Sequence, residues 1–231
     1  MAKKKTTKYK WDLFFQRLQE NIFRPKRQTK DILFRLVFGN DRQALLQLYN
    51  ALHGTAYTDP HELQIVTLDN AIYISRKNDL AFLLAGSINM YEHQSTLNPN
   101  MPVRFLIYLA QEYQLLVEST DRSLYGSELI PLPTPQCVVF YNGTADTPDE
   151  YKLRLSSAFS NQDVEPAVEV VVKVININYG HNEHLMQGCG LLSQYAQFVA
   201  VTREYANKYD NREEAMNAAI EYCIGHGILE D

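Results

Sequence analysis

Asn78-Asp79-Leu80-Ala81-Phe82-Leu83-Leu84-Ala85-Gly86-Ser87-Ile88-Asn89-Met90-Tyr91-Glu92-His93-Gln94-Ser95 is the stretch on which the fold turns. Leu80 to Leu84 is an apolar run, Ala85-Gly86-Ser87 can turn, and Ile88 to Tyr91 can return, so the segment predicts a β-hairpin. With the turn centred between Ala85 and Gly86, Asp79 comes to lie opposite Glu92. Such cross-strand neighbours share a face, with Cβ atoms about 4.5–5.5 Å apart. Gln94, two residues on, points the same way. Two carboxylates this close repel unless a cation or a proton intervenes, which makes a divalent metal the natural occupant. Exposed acids at strand ends are common, but the run between these two is too apolar for a surface ribbon. An internal strand of this kind delivers its terminal acids to a cleft at the sheet edge.

Outward from the hairpin, the chain of 231 residues, 45% hydrophobic, is long enough to bury a sizeable core as one domain with appendages. No apolar run is long enough to cross a bilayer, so no membrane partner is expected, and the lysine-rich start lacks the apolar stretch of a signal peptide. Cys137, Cys189 and Cys223 form no CxxC pair, which supports neither a zinc site nor a disulfide framework. A cytoplasmic setting is the expectation. The final Gly225 to Asp231 carries no capping element, as in a chain that continues into a longer tail.

The net charge of −5 hides an asymmetry. Residues 1–30 hold ten Lys or Arg against Asp12 and Glu20, a net +8, and the remainder is −13. A basic arm carrying Lys3, Lys4 and Lys5 ahead of an acidic body suits contact with a phosphate backbone, although a solvated leader has the same composition. The division expected is a basic arm over residues 1–28 and a single domain over 29–231.

Element by element, Thr29-Lys30-Asp31 offers a cap for a helix through Ile32, Leu33, Leu36 and Val37, and Arg42 to Leu52 forms a second helix ending at His53-Gly54. Glu62 to Leu68 and Ala71 to Ser75 read as strands before the hairpin. Arg104 to Val117 is helical, with Phe105, Leu106, Leu109 and Tyr113 at helical spacing. Cys137 to Tyr141 and Glu169 to Ile177 are strands. Residues 144–167 read as loop with a short helix around Tyr151. One long helix is expected over Glu183 to Lys208, with Gly188-Cys189-Gly190 allowing close packing, and another over Arg212 to Ile224. Strands interleaved with helices around one hairpin indicate an α/β fold, a mixed sheet with helices on its faces.

The chemistry these residues suit is metal-assisted hydrolysis of a phosphodiester. Asp79 and Glu92 would hold Mg²⁺ or Mn²⁺, Gln94 would orient the attacking water or touch the scissile phosphate, and an upstream acid, Asp31 by preference or Asp41, would complete the ligand set. His181-Asn182-Glu183-His184 has metal-like spacing, yet its position at a strand-to-helix junction favours capping. His93 points to the opposite strand face from Glu92. No phosphate-binding glycine loop and no nucleophile elbow is present, which removes nucleotide-loop and serine-hydrolase chemistries.

Six blocks carry a family likeness: Asp31-Ile32-Leu33-Phe34-Arg35-Leu36-Val37-Phe38-Gly39; Lys77-Asn78-Asp79-Leu80-Ala81-Phe82; Glu92-His93-Gln94-Ser95; Met101-Pro102-Val103-Arg104 with Tyr108; Phe140-Tyr141-Asn142-Gly143; and Asn176-Ile177-Asn178-Tyr179-Gly180-His181. In this order they resemble the recombination-promoting nuclease and putative transposase (YhgA-like) family of the PD-(D/E)XK nuclease superfamily, over nearly all of Asp31 to Asp231. The resemblance implies a restriction-endonuclease-like αβββαβ core with added C-terminal helices. It also implies Mg²⁺-dependent DNA cleavage, with Asp79 and Glu92 as ligands and Gln94 in the slot many superfamily members fill with lysine. Glutamine is neither a cation nor a base, so what activates the water stays open. Arg104 and Tyr108 would contact phosphate or buttress the site, Arg104 with the better geometry for phosphate, and Lys77 joins it as a DNA contact. The function expected is a metal-dependent DNA endonuclease linked to recombination or mobile DNA, assembled as a homodimer. The alternatives are a module that keeps the fold without the reaction and a phosphodiesterase acting on RNA or nucleotides.

Overall fold

A computed structural model describes residues 34–35, 37–66 and 79–228. They fall into two compact units: Asp59–Asn176, and a second made of the chain before it and after it.

The hairpin is the centre of the first unit. Strand β2 (Leu80–Leu84) pairs antiparallel with β3 (Ser87–Gln94), Leu84 opposite Ser87 and Leu80 opposite Tyr91. Two residues, Ala85 (φ 51°) and Gly86 (φ 74°), make the turn, and both take the left-handed conformation that a tight hairpin of right-twisted strands demands. Glycine adopts it freely, whereas alanine pays for its Cβ. The short β1 (Gln64–Ile65) flanks β2. On the other side, β4 (Thr134–Tyr141) runs parallel to β3, β6 (Val171–Asn176) parallel to β4, and β5 (Glu150–Arg154) antiparallel to β6. The result is a six-stranded mixed sheet in the order β1-β2-β3-β4-β6-β5.

A parallel pair needs a crossover, and helix α2 (Met101–Glu118) provides it between β3 and β4. Its stripe Met101, Phe105 and Tyr108 packs with Ala81, Ile88, Met90, Val139, Val172 and Val174 in one buried cluster. These strand residues alternate along β2 and β3, so α2 covers the face that Asp79 and Glu92 continue. The opposite face carries Phe82, Tyr91 and Phe140, whose rings meet edge to face at 5.2 and 5.3 Å.

Residues around Tyr151 form the edge strand β5, not a helix. Its alternation of exposed Glu150, Lys152 and Arg154 with half-buried Tyr151 and Leu153 is the period of two that suits an edge strand. The strand expected over Glu62 to Leu68 is confined, among the described residues, to Gln64–Ile65, preceded by a 3₁₀ turn at Pro60–Glu62. The strand expected over Ala71 to Ser75 lies outside the described residues.

In the second unit, α1 (Arg42–His53) is capped by Asp41, whose carboxylate accepts from the Gln43 and Ala44 amides. It ends on Gly54 at φ 64°. The long helix expected over Glu183 to Lys208 is two helices, α3 (Glu183–Gly188) and α4 (Gly190–Lys208), interrupted at an extended Cys189. Gly188 lies against α1: a Cβ there would come within 2.9 Å of the Ala51 methyl. Helix α5 (Arg212–Gly225) follows, capped by Asn211. Phe34 packs between Phe38 and Tyr195 at 4.9 and 5.9 Å between ring centres. Among the described residues, no helix is long and apolar enough to cross a membrane.

Candidate active site

Hairpin register is what brings the acids together. Leu80 faces Tyr91, so the next pair outward is Asp79 and Glu92, on the α2 face of the sheet. Asp79 Oδ2 accepts the His93 backbone N–H at 2.8 Å, which anchors the carboxylate to the end of β3. Glu92 is 2% exposed. Burying a carboxylate is costly unless it is paired, and the partner comes from the first turn of α2. Arg104 Nη2 donates to Glu92 Oε2 at 3.0 Å. Gln94 Nε2 reaches the same oxygen at 3.5 Å, the outer limit for a hydrogen bond.

The guanidinium is itself held. Its Nε and Nη2 donate to the Tyr108 hydroxyl at 3.3 and 3.1 Å, and Nη1 meets the Met101 sulfur at 3.3 Å. Residues 101, 104 and 108 share one side of α2 because three and four residues make a helical turn. Burial pulls the Arg104 pKa down, but Glu92, Tyr108 and Asp79 outweigh it and leave the pKa above its ordinary value. Tyr108 is raised by burial and by Glu92, against the opposing pull of Arg104. The Asp79 charge acts on both groups, so the two carboxylates, the guanidinium and the phenol form one electrostatic cluster.

Beside it, β3 and β4 are joined past their ends by Asn142 N–H donating to Gln94 O at 2.9 Å. The Phe140-Tyr141-Asn142-Gly143 block has a steric reason: a Cβ on Gly143 would fall 2.2 Å from the Tyr141 hydroxyl, which accepts from the Ala145 amide at 3.0 Å. The block from Asn176 has a polar one, since buried Asn176 donates to Thr147 Oγ1 at 3.0 Å. Beyond β6, Asn178 Oδ1 accepts from Arg203 Nη1 at 2.6 Å within the second unit.

Of the residues singled out in the sequence, Asp79, Glu92, Gln94, Arg104 and Tyr108 come together. Asp31, Lys77, Lys3, Lys4 and Lys5 lie outside the described residues. Asp41, the second choice for a third ligand, serves as the α1 cap. His93 is buried on the opposite strand face from Glu92. His181, Glu183 and His184 stand at the start of α3, and no group of three or more His, Cys, Asp or Glu that could hold a metal occurs among the described residues. One residue was missed. Glu112 lies on the buried stripe of α2, 2% exposed, and its Oε1 has no hydrogen-bond partner among the described residues. Its signal was present in the spacing: 101, 105, 108 and 112 recur at helical steps, placing an acid on an apolar face.

The donor set fits a hard divalent ion. Two carboxylates offer oxygen ligands, and Mg²⁺ is usually held by one or two carboxylates, with water and substrate phosphate completing its shell. No protein-family model, curated protein or solved structure matches this chain.

Proposed function

We propose that this protein is a metal-dependent DNA endonuclease of the restriction-endonuclease-like fold, akin to the recombination-promoting nucleases whose sequence blocks it resembles. The observation that carries the reading is the pairing of Asp79 with Glu92 at the end of the central hairpin, with Gln94 and Arg104 both directed at Glu92. Among the described residues the succession α1-β1-β2-β3-α2-β4 supports it, since it has the αβββαβ order that the resemblance implies.

Asp79 and Glu92 would hold Mg²⁺ or Mn²⁺, with Asp31 as the further ligand. Bound there, the ion supplies positive charge for the phosphate and lowers the pKa of its water. Gln94 presents an amide N–H₂ donor and a carbonyl acceptor, which orient a water without carrying charge or removing its proton. Arg104 offers the planar donor pair that suits phosphate oxygens. Lys77 and the arm bearing Lys3, Lys4 and Lys5 track the DNA backbone, and a homodimer would supply two centres for the two strands.

Purified protein with Mg²⁺ or Mn²⁺ should nick or linearise supercoiled plasmid, and Asp79→Ala and Glu92→Ala should each abolish cleavage. Cleavage that persists in both variants sinks these roles. A second reading, a DNA-binding module without the reaction, draws on the guanidinium already bonded to Glu92. It expects salt-sensitive DNA binding and no Mn²⁺ binding that depends on Glu92.

A further inference from the structure

We infer that Arg104 is a resident counter-ion of the acid pair, one that weakens metal binding until a phosphodiester draws its guanidinium away. The inference rests on the nuclease reading and adds a coupling between metal and substrate to it.

Asp79 and Glu92 are carboxylates in neighbouring positions, and Glu92 is buried, so in the absence of metal the ionised pair calls for a cation. Arg104 provides it at 3.0 Å on Glu92 Oε2. That contact is held in place: Tyr108 accepts from two of the guanidinium nitrogens, and the Met101 sulfur lies against the third. A divalent ion ligated by Glu92 meets this cation at the same carboxylate. It must either displace the guanidinium or bind beside a like charge, and both lower its affinity.

Arg104 has somewhere to go. Its side chain is 20% exposed where Glu92 is 2% exposed, so Arg104 is the member of the pair that solvent reaches. A phosphate arriving there accepts two parallel N–H bonds from arginine as a carboxylate does. Exchange of Glu92 for phosphate releases the Arg104 contact on Glu92 Oε2 and moves the like charge off that carboxylate. By linkage, DNA must then raise metal affinity by the same factor that metal raises DNA affinity.

Isothermal calorimetry of Mn²⁺ binding to the intact protein tests this. Arg104→Gln, which keeps an N–H donor for Glu92 but no charge, should bind Mn²⁺ about ten-fold or more tightly than the parent. Arg104→Met should do the same, and either variant suffices if the other fails to give the parent's circular-dichroism spectrum. Tyr108→Phe, which loosens the guanidinium, should fall between. A duplex with phosphorothioate linkages that resist cleavage should tighten Mn²⁺ in the parent by a larger factor than in Arg104→Gln, where only ligation by the phosphate itself remains. If parent and Arg104 variants bind Mn²⁺ equally, or if the duplex acts alike on both, the counter-ion role is overturned while the metal site survives. Absence of Mn²⁺ binding in the parent and the variants alike overturns the nuclease reading as well.

Discussion

Helix α2 buries two glutamates of this protein in opposite ways. Near its first turn Glu92, from β3, is 2% exposed and bonded to Arg104; further along, Glu112 of α2 itself is equally buried, and its Oε1 finds no partner among the described residues. Burial alone pushes Glu112 up to about 7 from an ordinary 4.5. The same degree of burial therefore leaves one carboxyl titrating near neutrality and ties the other into a cluster with a guanidinium, a phenol and a second acid. Burial does not make a site; the partners that compensate it do.

Removing the compensation should have the largest effect. Arg104→Ala leaves Glu92 buried beside Asp79 without its guanidinium, and we expect a loss of about 3 kcal/mol in urea unfolding at pH 7. Adding Glu92→Gln should recover part of it, because the remaining side chain is neutral. Full additivity of the two changes would break the comparison, since it would mean the pair does not interact.

Glu112 should respond with the reverse sign and on a pH axis. A carboxyl whose folded pKa lies above its unfolded one binds more protons in the native state between about 4.5 and 7. Its contribution to stability is full below that window and is lost as pH rises through 7. Glu112→Gln, which cannot ionise, should therefore stabilise the protein at pH 8 by on the order of 2 kcal/mol and change little at pH 4. A gain that is equal at both pH values would show that the carboxyl does not titrate in this window.

The smallest effect sharpens the comparison by touching one side alone. Ala85 sits in the left-handed region at the turn that sets the Asp79–Glu92 register. Ala85→Asn should add about 1 kcal/mol of stability, as asparagine tolerates this conformation. The pH dependence assigned to Glu112 should stay as it was, since the turn does not set its position on α2.

Much of this was legible along the chain. Ala85-Gly86 between two apolar runs defined the register, and from the register came the neighbouring acids. Helices α1, α2 and α5 followed from apolar spacing and caps, and β4 and β6 from their valines. Strand β5 was misread because its charged residues look like loop, although Tyr151 and Leu153 alternate with them. The break at Cys189 escaped because the flanking Gly188 and Gly190, poor helix formers, read as allowing close packing rather than as a stop. The helix pattern also does not show the close passage of Gly188 over Ala51, a contact between residues more than a hundred positions apart.

By itself, then, the sequence determined the hairpin, the shared face of Asp79 and Glu92, and the α2 stripe, because these depend on periods of two and of three to four residues and on local turn conformation. Only the tertiary structure decided that Arg104 lands on Glu92 and that Glu112 finds no such partner among the described residues. Both outcomes depend on how far α2 is shifted along the sheet as its apolar stripe packs, and helical spacing specifies the buried face of a helix without specifying which strand residue each side chain meets.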